Sequence, residues 1–296
     1  MIKGFTWQDG ERTIRFGAGA LADVPALLGE GYTLLTTPRA AALAPGVVAA
    51  AGAVHEVRPG RVDDLAGDLL GVVGGELLVA LGGGRVIDTA KAIAGAGALP
   101  GQPRVAAIPT TLSAAEMTFL HRAARGAPSP RFVRPAIVIN DPVVCASQPE
   151  AELAASAGNA LAHAIEGPLT IHSSPVPAAA AQQARALIAT GIPEDGPVDV
   201  EALALGALLS GYTIDSTHYG LHHVALFHGA ARGGLFDRPH YDVAHPGVAP
   251  LRPALDADAE QLTRAGVIGD PESCLHLYHR ISPISRRRPR RPARAP

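Results

Sequence analysis

Polar and apolar residues alternate from Arg12 to Phe16 until Gly17-Ala18-Gly19 breaks the pattern, the two-residue period of a strand with one covered face. Ala20 to Leu28 fits a short helix, and Tyr32 to Thr37 reads as a buried strand ended by Pro38. Ala40 to Ala51 keeps a helical pattern through Pro45 and Gly46, and Val62 to Val73 is amphipathic. An apolar run from Leu77 to Leu81 follows, then Gly82-Gly83-Gly84, then a helical stretch from Val86 to Ala94. Val105 to Ile108 and Ala136 to Ile139 supply two more strands. Short apolar strands alternating with helices predict a parallel sheet, because crossover helices hide both of its faces.

The pattern changes after Asp141-Pro142. Glu150 to Glu166, Val176 to Thr190 and Val198 to Gly211 are Ala/Leu-rich and helical in period, Val224 to Ala231 continues them, and no comparable strand run appears. Three units are expected: an α/β domain over residues 1–148, a helical domain over 149–285, and a basic tail over 286–296.

Composition narrows the class. A chain of 296 residues is long enough for two cores, and 47% hydrophobic with 18% charged residues excludes a disordered or fibrous chain. No apolar run approaches the ~20 residues that span a bilayer. The start of the chain carries no signal-like apolar stretch, and Cys145 and Cys274 form neither a metal spacing nor a disulfide framework. The expected setting is cytoplasmic, with no membrane partner. The net charge of -2 conceals an acid-free end holding Arg286, Arg287, Arg288, Arg290, Arg291 and Arg294. Interspersed with prolines, these arginines read as a solvated end rather than a nucleic-acid surface.

The most informative segment is Leu77 to Lys91, where a buried strand ends in three glycines and a helix begins at once. Glycine permits a sharp turn and lets an anion approach with no Cβ in the way. A helix N-terminus adds free N–H groups and a positive dipole end, so this is a phosphate cradle in outline. The spacing differs from both the common dinucleotide fingerprint and the ATPase phosphate loop.

Gly82-Gly83-Gly84-x-x-x-Asp88-x-Ala90-Lys91 resembles the cofactor loop of the iron-containing (group III) alcohol dehydrogenase superfamily. Arg85 stands where that superfamily usually has Ser; it either adds a charge-assisted contact to the pyrophosphate or crowds it. Ile108-Pro109-Thr110-Thr111-Leu112-Ser113-Ala114-Ala115-Glu116-Met117-Thr118 looks like the second cofactor segment, and Asp141-Pro142 like the pair that follows the last strand. The resemblance implies a dehydroquinate synthase-like fold, a Rossmann-like α/β domain followed by an all-helical one, here shortened. It also implies NAD or NADP as cofactor, held by Thr36, Thr37, Gly82, Gly83, Gly84, Asp88, Lys91, Thr110, Thr111 and Ser113.

Six of the twelve histidines, His218, His222, His223, His228, His240 and His245, crowd into one short stretch, which suits proton transfer or metal binding. Upstream, Asn159 and His163 lie four apart and share a helix face. The superfamily's metal ligands fall, by resemblance, on Asn159, His163, His223 and His240, with Asn159 in place of an Asp. A neutral amide is a poorer ligand for iron or zinc than a carboxylate. The combination with Gly220-Leu221-His222-His223 is similar to the maleylacetate reductase branch, and a metal is not expected.

The function expected is reduction by NAD(P)H of a small, carboxylated enone or carbonyl compound, with His163, His223 and His240 as catalytic residues, in a homodimer. Two alternatives stand beside it: a metal-dependent, NAD-using sugar-phosphate cyclase, and a degenerate family member that binds cofactor without turnover.

Overall fold

The computed structural model describes residues 2–97, 103–127, 131–193 and 196–219. Its centre is a seven-stranded sheet in the order β1-β2-β7-β6-β5-β3-β4, formed by β1 (Phe5–Asp9), β2 (Arg12–Phe16), β3 (Thr33–Thr36), β4 (Ala53–Glu56), β5 (Leu77–Gly82), β6 (Arg104–Pro109) and β7 (Ile137–Asn140). Every neighbouring pair is parallel except β1 with β2, which form an antiparallel hairpin at one edge. The sequence pattern anticipates the five other strands but misses β1 and β4. Both are edge strands whose side chains are half-buried or exposed, so neither writes an apolar run into the sequence.

The central strands are apolar throughout because successive side chains enter opposite cores. Along β5, Leu78 and Ala80 join a cluster with Val86, Ile87, Ala90 and Ile93 of α5 (Gly84–Gly95) and Ala66 of α4 (Val62–Leu69). Val79 and Leu81 point the other way, against Val24 of α1 (Val24–Leu28), Ala40 of α2 (Pro38–Leu43) and Val47 of α3 (Pro45–Ala49). The stretch read as a single helix from Ala40 to Ala51 is therefore two, broken at Ala44, because Pro45 cannot continue a helix and starts a new one. The stretch from Ala20 likewise opens as a 3-10 turn, Ala20–Asp23, before α1.

Asp141 caps the one-turn helix α6 (Pro142–Cys145) by accepting from the Val143 amide. The long helices α7 (Glu150–Glu166), α8 (Pro175–Gly191) and α9 (Val200–Thr217) follow. Small residues let them approach closely: a Cβ on Gly206 would stand 2.8 Å from Ile188 Cγ1. One apolar cluster joins them to the sheet, with Leu153, Ala157, Leu161, Ile188, Leu203 and Leu208 packed on Ile14, Phe16 and Val138. The expected boundary at residue 148 falls between α6 and α7. Val224 to Ala231, the later histidines and the basic tail lie outside the described residues.

Chain order sets the position of a crevice. From β3 the chain goes outward to β4, crosses back through α4 to β5 on β3's other side, and then proceeds to β6 and β7. The strand order thus reverses between β3 and β5, and open α/β sheets bind ligands outside the carboxyl ends of their strands at such a reversal.

Candidate active site

Both cofactor signals meet at that reversal. Thr36 and Thr37 end β3, Gly82 ends β5, and the two strands are hydrogen-bonded neighbours. The Thr36 hydroxyl donates to the Leu81 carbonyl at 2.9 Å, and Thr37 caps α2 by accepting from the Ala40 amide at 3.2 Å. Gly83 has an extended backbone (φ -78°, ψ -176°) and α5 starts at Gly84, so the first amides of a twelve-residue helix open toward the crevice. Each glycine of the turn is sterically required. A Cβ on Gly82 would lie 2.6 Å from Val86, one on Gly83 2.8 Å from Thr111 Cγ2, and one on Gly84 2.9 Å from Ser113 Oγ. The turn is therefore pressed against the segment after β6, leaving its backbone as the surface an anion can reach. Arg85 is exposed on the first turn of α5.

Lys91 lies two turns into α5, is fully buried, and acts as a tie. Its Nζ donates to Asp88 Oδ1 (2.8 Å), the Ala115 carbonyl (3.0 Å), Thr118 Oγ1 (3.4 Å) and the Leu120 carbonyl (2.9 Å). These bonds fasten the segment from Thr110 to Leu120 along α5, and the Thr110 amide adds a bond to the Gly82 carbonyl at 3.0 Å. Thr110 is buried, and the buried Oγ1 of Thr111 has no hydrogen-bond partner among the described residues. Glu116 on the same segment is buried, with neither carboxylate oxygen hydrogen-bonded to another side chain. Burial pushes its carboxyl up to about 7, and Lys91 and Arg12 offset this only in part.

Helix α7 brings the second half of the site to that segment. Ser156, Asn159, His163 and Glu166 recur at three- and four-residue steps and form one polar stripe along the helix beyond its acidic first turn. Ser156 Oγ accepts from the Leu112 amide at 2.9 Å, and Asn159 Nδ2 donates to the Ser113 carbonyl at 3.4 Å. His163 follows one turn on, 4% exposed, with its ring 6.3 Å from that of Tyr219. Sequence reasoning missed Tyr219; no motif contains it, and only the turn after α9 brings it here. His218 is exposed and packs edge-on to Phe119 and His172.

His223 and His240 lie outside the described residues, and among those described no group of three potential ligands surrounds a metal position. The described half of the family's ligand set supplies a neutral amide and one imidazole. An amide oxygen at Asn159 binds iron or zinc more weakly than the carboxylate it replaces, while His163 keeps an imidazole ligand.

No family model matches the chain. The maleylacetate reductase of Pseudomonas sp. (strain P51) is 34% identical over 264 residues, covering 80% of this chain and 71% of its own. The chain belongs to the maleylacetate reductase branch of the iron-containing alcohol dehydrogenase superfamily. It is accordingly an NAD(P)-dependent oxidoreductase, and the cyclase and non-catalytic alternatives are not favoured. The crystal structure of maleylacetate reductase from Rhizobium sp. strain MTP-10005 superimposes with a TM-score of 0.72 at 23% identity, covering 95% of this chain and 85% of that one. An iron-containing alcohol dehydrogenase from Corynebacterium glutamicum gives a TM-score of 0.73, also at 23% identity, over 95% of this chain and 84% of that one. Both show the fold.

Proposed function

We propose that this reductase lays NAD(P)H across the ends of β3 and β5 and reduces a small, carboxylated enone or carbonyl compound, as the names of its relatives imply. The pyrophosphate rests on the backbone of Gly82 to Gly84, and Thr36, Thr37, Thr110, Thr111 and Ser113 line the nucleoside and nicotinamide sides. Asp88 and Lys91 belong to the same site as positioning residues, because the ammonium of Lys91 is already held by four internal acceptors. One observation carries this reading. The segment after β6 touches the glycine turn on one side and Ser156 and Asn159 of α7 on the other, which supports assigning the cofactor loop and His163, one turn further along α7, to one cleft.

Hydride transfer to an enone carbon moves the π electrons onto the conjugated oxygen, and a proton must then reach carbon. His163, with His223 and His240 from the later segment, would hold the substrate oxygen and deliver that proton. With Asn159 in the Asp position, the reaction proceeds without a resident metal. The protein is proposed to work as a cytoplasmic homodimer.

The test is NAD(P)H oxidation with a panel of enones, keto acids and aldehydes, repeated on three variants. Losing one positioned acid costs ~10²–10⁴ in rate. His163→Ala and His223→Ala should each lower kcat at least a hundredfold with cofactor affinity nearly unchanged, and His222→Ala should be mild. Harm from His222→Ala with none from His223→Ala would move the assignment by one residue. Harmlessness of all three would place the chemistry elsewhere.

A further inference from the structure

Helix α9 meets the segment after β6 through one glycine and one acid. Gly211 and Asp215 lie four apart and so share a side of the helix. A Cβ on Gly211 would stand 2.7 Å from Met117 Cβ and 2.8 Å from Ala114 Cβ, so the helix backbone rests directly on the segment. One turn on, Asp215 is buried and its carboxylate accepts twice. Oδ1 takes the Phe119 amide at 2.7 Å, and Oδ2 takes Arg134 Nε at 2.6 Å. The Arg134 guanidinium lies 5.0 Å over the Phe119 ring and closes the triangle.

The segment is thereby held at both ends from the helical side. Ser156 and Asn159 of α7 bond Leu112 and Ser113 near its start, and Asp215 of α9 bonds Phe119 near its end. From the sheet side, Lys91 and Arg12 hold the middle, at the carbonyls of Ala115 and Glu116. Between these anchors the backbone passes through Ala114 at φ 63°, a conformation uncommon for a residue with a Cβ and kept where the surroundings enforce it. A segment so short and so closely tied moves as a piece when one anchor is lost.

We propose that Asp215 is a positioning residue for hydride transfer, holding the cofactor segment at the reacting distance from a substrate bound on the helical side. This rests on the reductase reading above, in which Thr110, Thr111 and Ser113 line the cofactor. The hydride passes from the dihydronicotinamide, which is oxidised, to the substrate carbon, and a proton from a histidine completes the reduction. Asp215 bonds Phe119 and Arg134, so it acts through the segment rather than on the reacting atoms. Reacting atoms must stand about 3–3.5 Å apart, and a misplacement of about 1 Å can cost about a hundredfold in rate. The glycine turn that receives the pyrophosphate does not use this contact, so cofactor affinity survives its loss.

The experiment measures single-turnover hydride transfer in the full chain, in Asp215→Asn and in Asp215→Ala, at saturating NAD(P)H and panel substrate. Single turnover separates the chemical step from binding and product release, and a smaller folded fraction lowers its amplitude, not its rate constant. Asp215→Asn offers one oxygen for two donors and should slow the step about tenfold; Asp215→Ala offers none and should slow it about a hundredfold. The Kd for NAD(P)H should stay within about threefold of wild type in both. A wild-type chain that reduces panel substrates beside variants with unchanged rate constants overturns the Asp215 role alone. A loss confined to amplitude, melting temperature or cofactor affinity also overturns it, since the contact would then only hold the fold. Where Asp215→Ala does not fold, the near-isosteric Asp215→Asn decides by the same criteria. If the wild-type chain reduces nothing in the panel, the reductase reading fails and the Asp215 role fails with it.

Discussion

The ammonium of Lys91 and the carbonyl oxygen of Leu120 lie 2.9 Å apart, in an interior where the lysine has no exposed surface. Twenty-nine residues of chain separate them, and the bond fixes how the segment after β6 lies along α5. The same ammonium reaches Asp88 and Ala115, so one side chain sets the spacing between the helix that follows the glycine turn and the segment after β6.

Replacing Lys91 by Met should therefore destabilise the fold and the cofactor site together. The variant leaves two carbonyls and the Asp88 carboxylate without their shared donor. Breaking a buried pair in this way costs about 3 kcal/mol. Urea unfolding should show that loss, and NAD(P)H titration on the folded fraction should show weaker binding. A stability change below about 1 kcal/mol, the worth of an exposed ion pair, would mean that Lys91 is not the tie described.

At Gly83 the expected effect falls on cofactor binding. A side chain here collides with Thr111, 2.8 Å from the position of a Cβ, and occupies the approach to the turn's backbone. Gly83→Val should weaken NAD(P)H binding at least tenfold, about 1.4 kcal/mol, while circular dichroism stays native. Unchanged cofactor titration in the folded variant would move the pyrophosphate elsewhere.

Glu116 makes stability pH-dependent. Its carboxyl is raised from 4.5 to about 7 in the folded chain, so the folded state prefers the protonated form. That preference supports the fold fully below about pH 4.5 and is lost as pH rises through 7, an effect of roughly 3 kcal/mol for this shift. Glu116→Gln, which cannot ionise, should flatten the unfolding free energy over this window and be the more stable form at pH 8. Equal pH slopes for the two proteins would refute the assignment.

The metal content turns on Asn159. Purified protein should carry little stoichiometric iron or zinc and keep its activity in chelator. Asn159→Asp restores a charged donor one turn from His163 and should raise zinc affinity, measured by calorimetry. One tightly held metal per native chain, lost only together with activity, would contradict the metal-free reading.

Elements that bury both faces or one long stripe are legible in the order of residues alone. β3, β5, β6 and β7 are apolar runs because they sit between two layers of helix, and α7 runs over the residues its periodicity marks, Glu150–Glu166. The glycine turn was legible for a local reason, since a backbone that must touch its neighbours cannot carry side chains. The remaining features depend on contacts between segments far apart in the chain. The edge strands β1 and β4 are held by pairing with a neighbour rather than by an apolar pattern, so their sequences do not announce them. Lys91 reads as a cofactor contact in one dimension and proves to be an internal tie, because its acceptors lie 24 and 29 residues away. Tyr219 stands outside every motif, and its nearness to His163 comes from helices α7 and α9 packing side by side and from a strained turn at His218. Contacts made across the fold depend on how layers stack, and no local spacing encodes them.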